Sequence, residues 1–294
     1  APPAAGPWPE RSPRWASRRR TAPTRSSPTR LKPLPKTVPS ILITNDDGLH
    51  GPGLAPLAQA MRRLGRVTIV VPDHERSAES HSLTLHKPLR VRRVGPGFFS
   101  LNGSPADCAR FAVLEILKGR VDLAVSGINH GLNLGEDVVY SGTVAGAMES
   151  VLLDLPAIAF SQERGAHGSA RVPAAELDRS FARSARWAEK LARLVLRRGL
   201  PKGVCLNVNF PRTGPGGPKP PLACRLGRRI YTQVVSRRQD PRGELYYWLA
   251  GKTVKGAGAR GTDVDAIARG HVSVTPLKID NTDHATLAAL PDWL

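Results

Sequence analysis

Cysteine is scarce in this chain of 294 residues, and long apolar runs are absent. The three cysteines, Cys108, Cys205 and Cys224, show no C-x-x-C spacing. This argues against a zinc cluster or a disulfide scaffold and fits a reducing compartment. No stretch approaches the ~20 consecutive apolar residues that a membrane helix requires. We therefore expect a cytoplasmic protein without a membrane span.

Acidic residues are also few, since 24 Asp and Glu stand against 43 Lys and Arg, for a net charge of +19. Residues 1–40 hold nine of the basic residues and the single acid Glu10, so they contribute +8 of that charge. The remainder is still basic, which favours anionic substrates. Charge of this kind does not by itself identify a partner.

The first 39 residues differ in composition from the rest of the chain. They contain ten of the 27 prolines, together with Arg, Ser and Thr, and show no apolar periodicity. Such a segment cannot bury enough apolar surface to fold, so we predict a disordered basic extension over residues 1–39. It lacks the apolar core of a secretory signal, and its composition is also that of a transit peptide or an RNA-contacting arm. We expect no nucleic-acid contact outside this segment.

Short apolar stretches alternate with amphipathic ones from residue 40 onwards. The stretches predict strands at 41–44, 67–71, 121–125, 157–160, 203–210 and 270–276. Helices are predicted from 54 to about 64, from 105 to near 119, from 144 to 152, over 174–198 and over 285–290. Ser104 and Asp107 fit the capping of the second helix. This alternation predicts an α/β fold, a Rossmann-like three-layer sandwich with a mostly parallel sheet.

Three further segments interrupt this pattern. Alternating apolar residues over 83–101 indicate a β-ribbon, and residues 212–221 have the Pro/Gly composition of a linker. Two strands at 230–235 and 244–249 around a turn predict a C-terminal hairpin extension with little core of its own, which we expect to be used in oligomerisation. The domain at 40–294 thus divides into a core at about 40–211, a hairpin region at about 222–255, and a last strand and helix at about 262–294.

Asn45, Asp46, Asp47 and Gly48 follow directly after the first strand. Adjacent carboxylates ~4 Å apart repel each other by about 1 kcal/mol in water and by more in a cleft. A hard cation such as Mg²⁺ or Mn²⁺ would neutralise them, because carboxylate oxygens suit it. A turn with solvated carboxylates is the alternative. The glycines that follow do not fit the G-x-G-x-x-G fingerprint, so a dinucleotide site is disfavoured.

Three more polar clusters are predicted at the same edge of the sheet. They are the loop 73–82, the stretch after the third strand with Asn129, and the helix start Ser141-Gly142-Thr143, where an anion could bind. A surface loop and a simple helix cap are the structural alternatives. A metal site beside an anion site favours metal-assisted hydrolysis of a phosphate ester. The adjacency of the two acids disfavours a haloacid-dehalogenase-type phosphatase, which has Asp-x-Asp.

Six motifs in this order resemble those of the SurE family, from residue 41 to about residue 280. They are Thr-Asn-Asp-Asp-Gly; Pro-Asp-x-Glu-Arg-Ser-Ala with His-Ser following; Asn-Gly-Ser-Pro-Ala-Asp-Cys; Val-Ser-Gly-Ile-Asn-His-Gly-x-Asn-x-Gly; Tyr-Ser-Gly-Thr-Val-Ala-Gly-Ala-Met-Glu; and Thr-Asp-x-x-Ala-x-x-x-Gly-x-Val-Ser-x-Thr-Pro-Leu. Residues 1–40 have no counterpart in this pattern.

The resemblance implies a divalent-metal-dependent phosphatase of nucleoside 5′- and 3′-monophosphates, and of short polyphosphate as a further substrate. Such proteins are cytoplasmic homodimers or homotetramers with one Mg²⁺ or Mn²⁺ per subunit. The implied residues fall into three groups: Asp46, Asp47, Ser77 and Asn129 as metal ligands, with one of the two Asp residues as the catalytic base; Asn133, Ser141, Gly142 and Thr143 as phosphate contacts; and Asn45 and His81 as secondary candidates.

Two points remain open in this reading of the sequence. His130 stands where many members of the family have arginine or another basic residue, so the charge there would depend on pH. Few aromatic residues are expected near the cleft, so little stacking surface is expected for a nucleobase. The alternative function is a non-catalytic nucleotide- or metal-binding module with a basic arm.

Overall fold

A nine-stranded sheet forms the centre of the protein in the computed structural model, which describes residues 37–164, 173–214, 216–231, 234–250, 253–254 and 258–293. Its strands, in chain order, are β1 (Ser40–Thr44), β2 (Arg66–Pro72), β3 (Val91–Gly95), β4 (Phe98–Leu101), β5 (Leu123–His130), β6 (Ala157–Gln162), β7 (Val204–Phe210), β8 (Lys219–Ala223) and, after the four short strands of the hairpin region, β13 (His271–Lys278). The spatial order is β3-β4-β2-β1-β5-β6-β7-β13-β8. The pairings β3–β4 and β7–β13 are antiparallel and the others are parallel.

Helices cover both faces of this sheet. They are α1 (Leu54–Arg62), α2 (Pro105–Phe111), α3 (Gly142–Leu152), α4 (Ala174–Arg198), α5 (Asp263–Ala268) and α6 (His284–Ala289). Alternate residues of β1 point to opposite faces. Ile41 and Ile43 join the core beneath α1 and α4, whereas Leu42 joins the core beneath α2 and α3. The predicted Rossmann-like α/β fold with a mostly parallel sheet is therefore confirmed.

Several element boundaries differ from the sequence prediction. In the segment 83–101 only β3 and β4 are strands, and they extend one edge of the main sheet instead of forming a separate ribbon. The linker interpretation of 212–221 is wrong at its end, because β8 begins at Lys219 and pairs with β13. Strand β5 runs on to His130, with a register shift against β6 between Ser126 and Asn129. Helix α5 was not predicted.

The C-terminal hairpin is present as β10 (Val234–Gln239) and β11 (Leu245–Ala250), which pair antiparallel. The short strands β9 (Ile230–Tyr231) and β12 (Thr253–Val254) pair beneath it. Asp240 closes the turn, since its Oδ1 accepts from the backbone N–H groups of Arg242 at 2.8 Å and Glu244 at 2.9 Å. Trp248 and Leu249 are 59% and 90% exposed. The use of this hairpin in oligomerisation stays a prediction.

All three cysteines are free and buried. Burial raises the pKa of the Cys205 thiol to about 12 and that of Cys108 well above its ordinary value. Burial also raises the pKa of Cys224.

The described residues all belong to one compact unit, Lys32–Leu294. Residues 1–36 of the predicted disordered extension lie outside the described residues, and the subdivision of the phosphatase domain stays a prediction. None of the helices in the described ranges is long and apolar enough to cross a membrane.

Candidate active site

A cavity of about 230 Å³ opens at the carboxyl ends of β1 and β5. Among its lining residues are five that the sequence predicted, Asp46, Ser77, Asn129, Asn133 and Ser141. The carboxyl ends of parallel strands meet at one edge of a sheet, which is how residues so distant in sequence come together. The polar clusters that follow β1, β2 and β5 therefore converge on one place.

Asp46 is buried with 4% exposure and is held by the start of α3. The Thr143 hydroxyl donates to Asp46 Oδ1 at 2.5 Å, and the Thr143 backbone N–H donates to Oδ2 at 3.1 Å. Burial raises the pKa of Asp46, and these bonds oppose the rise. A Cβ on Gly142 would lie 3.0 Å from Asp46 Cβ, so glycine permits this close approach. Thr143, predicted as a phosphate contact, is thus bonded to the carboxylate itself.

Asp47 is less buried than Asp46 and is not among the residues that line the cavity. Its Oδ2 accepts from the His130 backbone N–H at 3.1 Å. Burial and the neighbouring charge of Asp46 raise the pKa of Asp47 to about 6. A Cβ on Gly51 would lie 2.6 Å from Asp47 Cβ and 2.9 Å from Asn45 Nδ2. The turn around the carboxylate pair is packed tightly enough to require glycine there.

Asn45 and Asn129 shape the walls of the site through their amide groups. Asn45 Nδ2 donates to the Gly48 carbonyl at 2.9 Å, while its buried Oδ1 has no hydrogen-bond partner among the described residues. Asn129 Nδ2 donates to the Gly131 carbonyl at 3.0 Å, which leaves Asn129 Oδ1 as the atom available to a cation. Both amides therefore present an oxygen that accepts no hydrogen bond from the residues the structure describes.

The donor set fits a hard divalent cation. Two neighbouring carboxylates have raised pKa values, which means that their negative charge is not fully neutralised by the protein. The Ser77 hydroxyl, which donates to Glu75 Oε1 at 2.7 Å, and Asn129 Oδ1 add oxygen ligands. The described residues contain no cluster of three or more His, Cys, Asp and Glu that could hold a metal. Oxygen ligands favour Mg²⁺ or Mn²⁺ over zinc.

Ser141 and Asn133 lie at the cavity in different roles. Ser141 caps α3, because its Oγ accepts from the Val144 backbone N–H at 3.1 Å. The hydroxyl hydrogen of Ser141 remains available to a ligand. Asn133 Nδ2 instead donates to Ser161 Oγ at 2.7 Å, and the Asn133 backbone N–H donates to Asn209 Oδ1 at 2.8 Å. The side chain of Asn133 is thus anchored in a buried polar network.

His81 is not brought to the cavity. Its Nε2 lies 2.7 Å from Oε2 of Glu149 on α3, and Glu149 Oε1 accepts from Arg110 Nε at 2.6 Å. Although burial alone would raise the pKa of Glu149, the bonds to His81 and Arg110 hold it below its usual value.

Comparison with known proteins identifies the family of this chain. The family model "Survival protein SurE" matches residues 41–233. The chain belongs to the SurE family. Relatives named 5′-nucleotidase SurE are 45% identical over 257 residues in Pelobacter propionicus, covering 86% of this chain and 99% of the relative, and 44% identical over 259 residues in Moorella thermoacetica, covering 86% and 95%. The predicted family is confirmed, and the predicted nucleotidase activity agrees with the names of these relatives.

A solved SurE structure supports the same conclusion at the level of the fold. The SurE protein from Aquifex aeolicus has a TM-score of 0.75 and 37% sequence identity, and the match covers 87% of this chain and 99% of that chain. The roles of individual site residues stay predictions.

Two residues that line this SurE cavity, Tyr140 and Arg164, and one charged residue that acts on its carboxylates, Glu75, were not predicted. Tyr140 lines the cavity and is 64% exposed, so one aromatic ring lies at a cleft where few aromatic residues were expected. Arg164 donates through Nε to the His130 carbonyl, and its charge acts to lower the pKa of Asp47. The charge of Glu75 acts in the opposite direction on both Asp residues. Tyr140 and Glu75 stand within the family motifs, whereas nothing in the sequence marks Arg164.

His130 is half-buried beside this cavity. Its ring meets Phe181 edge-on at 5.8 Å between ring centroids. Burial and the charge of Arg164 lower the pKa of His130. This shift favours the neutral imidazole, while Arg164 carries a positive charge next to it.

Proposed function

We propose that this SurE protein hydrolyses nucleoside 5′-monophosphates to nucleoside and phosphate, with one divalent cation per subunit. The observation that carries the proposal is a pair of adjacent carboxylates, of which Asp46 is buried and lines a cavity that also gathers Ser77, Asn129 and Ser141, while Asp47 is partly buried next to it. The names of the relatives support the choice of substrate. Nucleoside 3′-monophosphates and short polyphosphate are included in the proposal as further substrates.

Asp46, Asp47, Ser77 and Asn129 are the residues that would hold the cation. When bound, Mg²⁺ or Mn²⁺ neutralises the carboxylates and polarises a phosphoryl oxygen. Thr143 keeps Asp46 in place, because both carboxylate oxygens accept its hydrogen bonds. The His130 backbone N–H does the same for Asp47.

One of the two carboxylates also accepts the proton of the attacking water. Asp46 lines the cavity, but both of its oxygens already accept from Thr143. Asp47 accepts through Oδ2 from His130, and the described residues offer no donor to its Oδ1. The two side chains thus differ in access and in free acceptor capacity, and both are needed for the reaction.

The substrate phosphate would lie at the start of α3. Backbone N–H groups at a helix N-terminus favour an anion, and the free hydroxyl hydrogen of Ser141 can donate to a phosphate oxygen. Arg164 also lines the cavity and supplies positive charge there. These groups stabilise the charge that develops on the phosphoryl oxygens.

The nucleoside would extend over Tyr140. The ring is largely exposed at the rim of the cavity, and Val139 beside it is 66% exposed. An exposed aromatic ring gives a base a stacking surface that inorganic polyphosphate cannot use. This feature favours nucleoside monophosphates as substrates.

Phosphate release tests the proposal directly. Nucleoside 5′- and 3′-monophosphates, ribose 5-phosphate and tripolyphosphate are compared with Mg²⁺, with Mn²⁺ and with a chelator. We expect cation-dependent release that is fastest with nucleoside 5′-monophosphates and is abolished in Asp47→Asn. Asp154→Asn is the matched control. Asp154 precedes β6 and so lies near the amino end of that strand, whereas the cavity opens at the carboxyl ends of β1 and β5. Binding of nucleotide without release of phosphate would favour the alternative, a non-catalytic binding module.

A further inference from the structure

The loop between β2 and β3 contains a strained stretch next to Ser77. Ala78 and Ser80 have φ values of +61° and +56°. For residues other than glycine this left-handed conformation costs about 1 kcal/mol each. Such strain persists only where surrounding contacts hold the backbone in place. The loop must therefore be anchored firmly on both sides of this stretch.

Hydrogen bonds supply these anchors at each end of the stretch. On one side the Arg76 backbone N–H donates to the Asp46 carbonyl at 2.8 Å. On the other side the Ser104 hydroxyl donates to the Ser82 carbonyl at 2.6 Å, and the Thr84 hydroxyl donates to Asp107 at 2.6 Å. Within the stretch, the Ser80 backbone N–H donates to the Tyr140 carbonyl at 3.2 Å.

The side chain of His81 connects the same stretch to α3. Its Nε2 lies 2.7 Å from Glu149 Oε2, and the Glu149 side chain is 1% exposed. A buried carboxylate needs partners for both oxygens, and Arg110 supplies the other one. The His81 side chain is itself 32% exposed, so a change there disturbs the core less than a change at Glu149.

Helix α3 therefore helps to hold two of the proposed metal ligands in place, Asp46 directly and Ser77 through the loop that carries it. At its first turn Thr143 holds Asp46, and further along the helix Glu149 holds the loop that carries Ser77. A rigid helix between these two contacts fixes the separation of Asp46 and Ser77.

We propose that His81 is a positioning residue, whose hydrogen bond to Glu149 keeps the Ser77 loop in its strained conformation and so sets the affinity of the site for a divalent cation. The proposal rests on the proposed function, since it concerns the same metal site. His81 touches neither the cation nor the substrate. Residues that orient metal ligands in this way typically change metal affinity by about 10- to 100-fold when they are replaced.

The test is isothermal titration calorimetry of Mn²⁺ into the metal-free full-length protein and two His81 variants. His81→Leu removes the hydrogen bond, and we expect its dissociation constant for Mn²⁺ to rise by about 10-fold or more. In His81→Gln the amide nitrogen can take the place of Nε2, so we expect a value within about 3-fold of the original. His86→Leu is the matched control, because His86 is exposed on the same loop and the structure describes no hydrogen bond or ion pair for it.

Kinetics separate positioning from a general loss of structure. In His81→Leu the Mn²⁺ concentration for half-maximal activity should rise, while kcat at saturating Mn²⁺ returns close to the original value. A structural defect would instead lower the rate at every Mn²⁺ concentration, including saturation. The proposal is overturned if His81→Leu binds Mn²⁺ as tightly as the original protein, or if His81→Gln loses as much affinity as His81→Leu. If the unsubstituted protein binds no Mn²⁺, the metal site of the proposed function itself fails.

Discussion

Asp46 and Asp47 are consecutive residues with different surroundings. Asp46 lines the cavity and receives two hydrogen bonds from Thr143, whereas Asp47 is less buried and receives one from the backbone of His130. Burial raises the pKa of both. In the metal-free protein their ionised forms therefore oppose folding, and a bound cation would remove that penalty.

The pH dependence of stability follows from the sign of the shift at Asp47. Its pKa rises from 3.8 to about 6, so its contribution to stability is fully present below pH 3.8 and is lost as pH rises through about 6. Asp47→Asn does not titrate. In a chelator at pH 7.5 we expect the variant to exceed the original protein in free energy of unfolding by up to about 3 kcal/mol.

Denaturant unfolding at pH 7.5 and at pH 5 measures this difference, which should shrink at the lower pH. Addition of Mn²⁺ at pH 7.5 should stabilise the original protein and leave Asp47→Asn unchanged. A metal-free Asp47→Asn protein that is less stable than the original at pH 7.5 would contradict the assignment.

At the scale of elements, features formed by residues close in sequence were predictable, whereas contacts between residues far apart in sequence were not. Ser104 and Asp107 lie three residues apart and form the capping box that their spacing indicates. The bond from Thr143 to Asp46 joins residues 97 apart in sequence, and no local pattern distinguishes it from a phosphate contact. The same holds for His81 and Glu149, which are 68 residues apart. Strands follow from periodicity, whereas the partners of polar side chains depend on the folded arrangement.

Asp263, at the start of helix α5, is a buried carboxylate that lies outside the cavity and holds backbone groups in place. Asp263 is fully buried and accepts from the backbone N–H groups of Gly135 at 2.9 Å, Gly227 at 2.7 Å and Val264 at 2.8 Å. It thereby fixes Gly135, two residues after Asn133, against the C-terminal part of the chain. Its role is to position a loop of the site from a distance.

Asp263→Ala should lower the free energy of unfolding by roughly 2–4 kcal/mol, because it leaves buried N–H groups without an acceptor. Urea unfolding monitored by circular dichroism measures the loss. Asp265→Asn on the same helix removes a surface ion pair with Arg269 and should cost much less than Asp263→Ala. Equal effects of the two substitutions would show that the buried hydrogen bonds of Asp263 contribute no more to stability than the ion pair of Asp265.

At the scale of the whole molecule, the hairpin β10–β11 exposes a run of apolar side chains. Tyr247, Trp248 and Leu249 are consecutive and are all more than half exposed. Exposed apolar patches of this kind mark interaction surfaces, and a second copy of the chain is the partner that the family resemblance implies. We therefore keep the prediction of a homodimer or homotetramer assembled through the hairpin.

Replacement of these three residues by serine should reduce the molar mass in size-exclusion chromatography with light scattering, from that of the oligomer to that of a smaller species. Leu287→Ser is the control, since Leu287 is 52% exposed on α6, away from the hairpin in sequence. A monomeric unsubstituted protein, or an oligomer that survives the triple replacement, would refute the prediction.

The burial of all three cysteines has a practical consequence. Cys108 lies in α2, Cys205 in β7 and Cys224 directly after β8, and each thiol is shielded from solvent with a raised pKa. Alkylating reagents require an accessible thiolate, so the folded protein is inert towards them. A single cysteine introduced on the hairpin can carry a fluorophore or spin label while the native cysteines stay in place. Each native thiol then becomes reactive only when its own part of the chain unfolds, so its rate of modification reports that local unfolding.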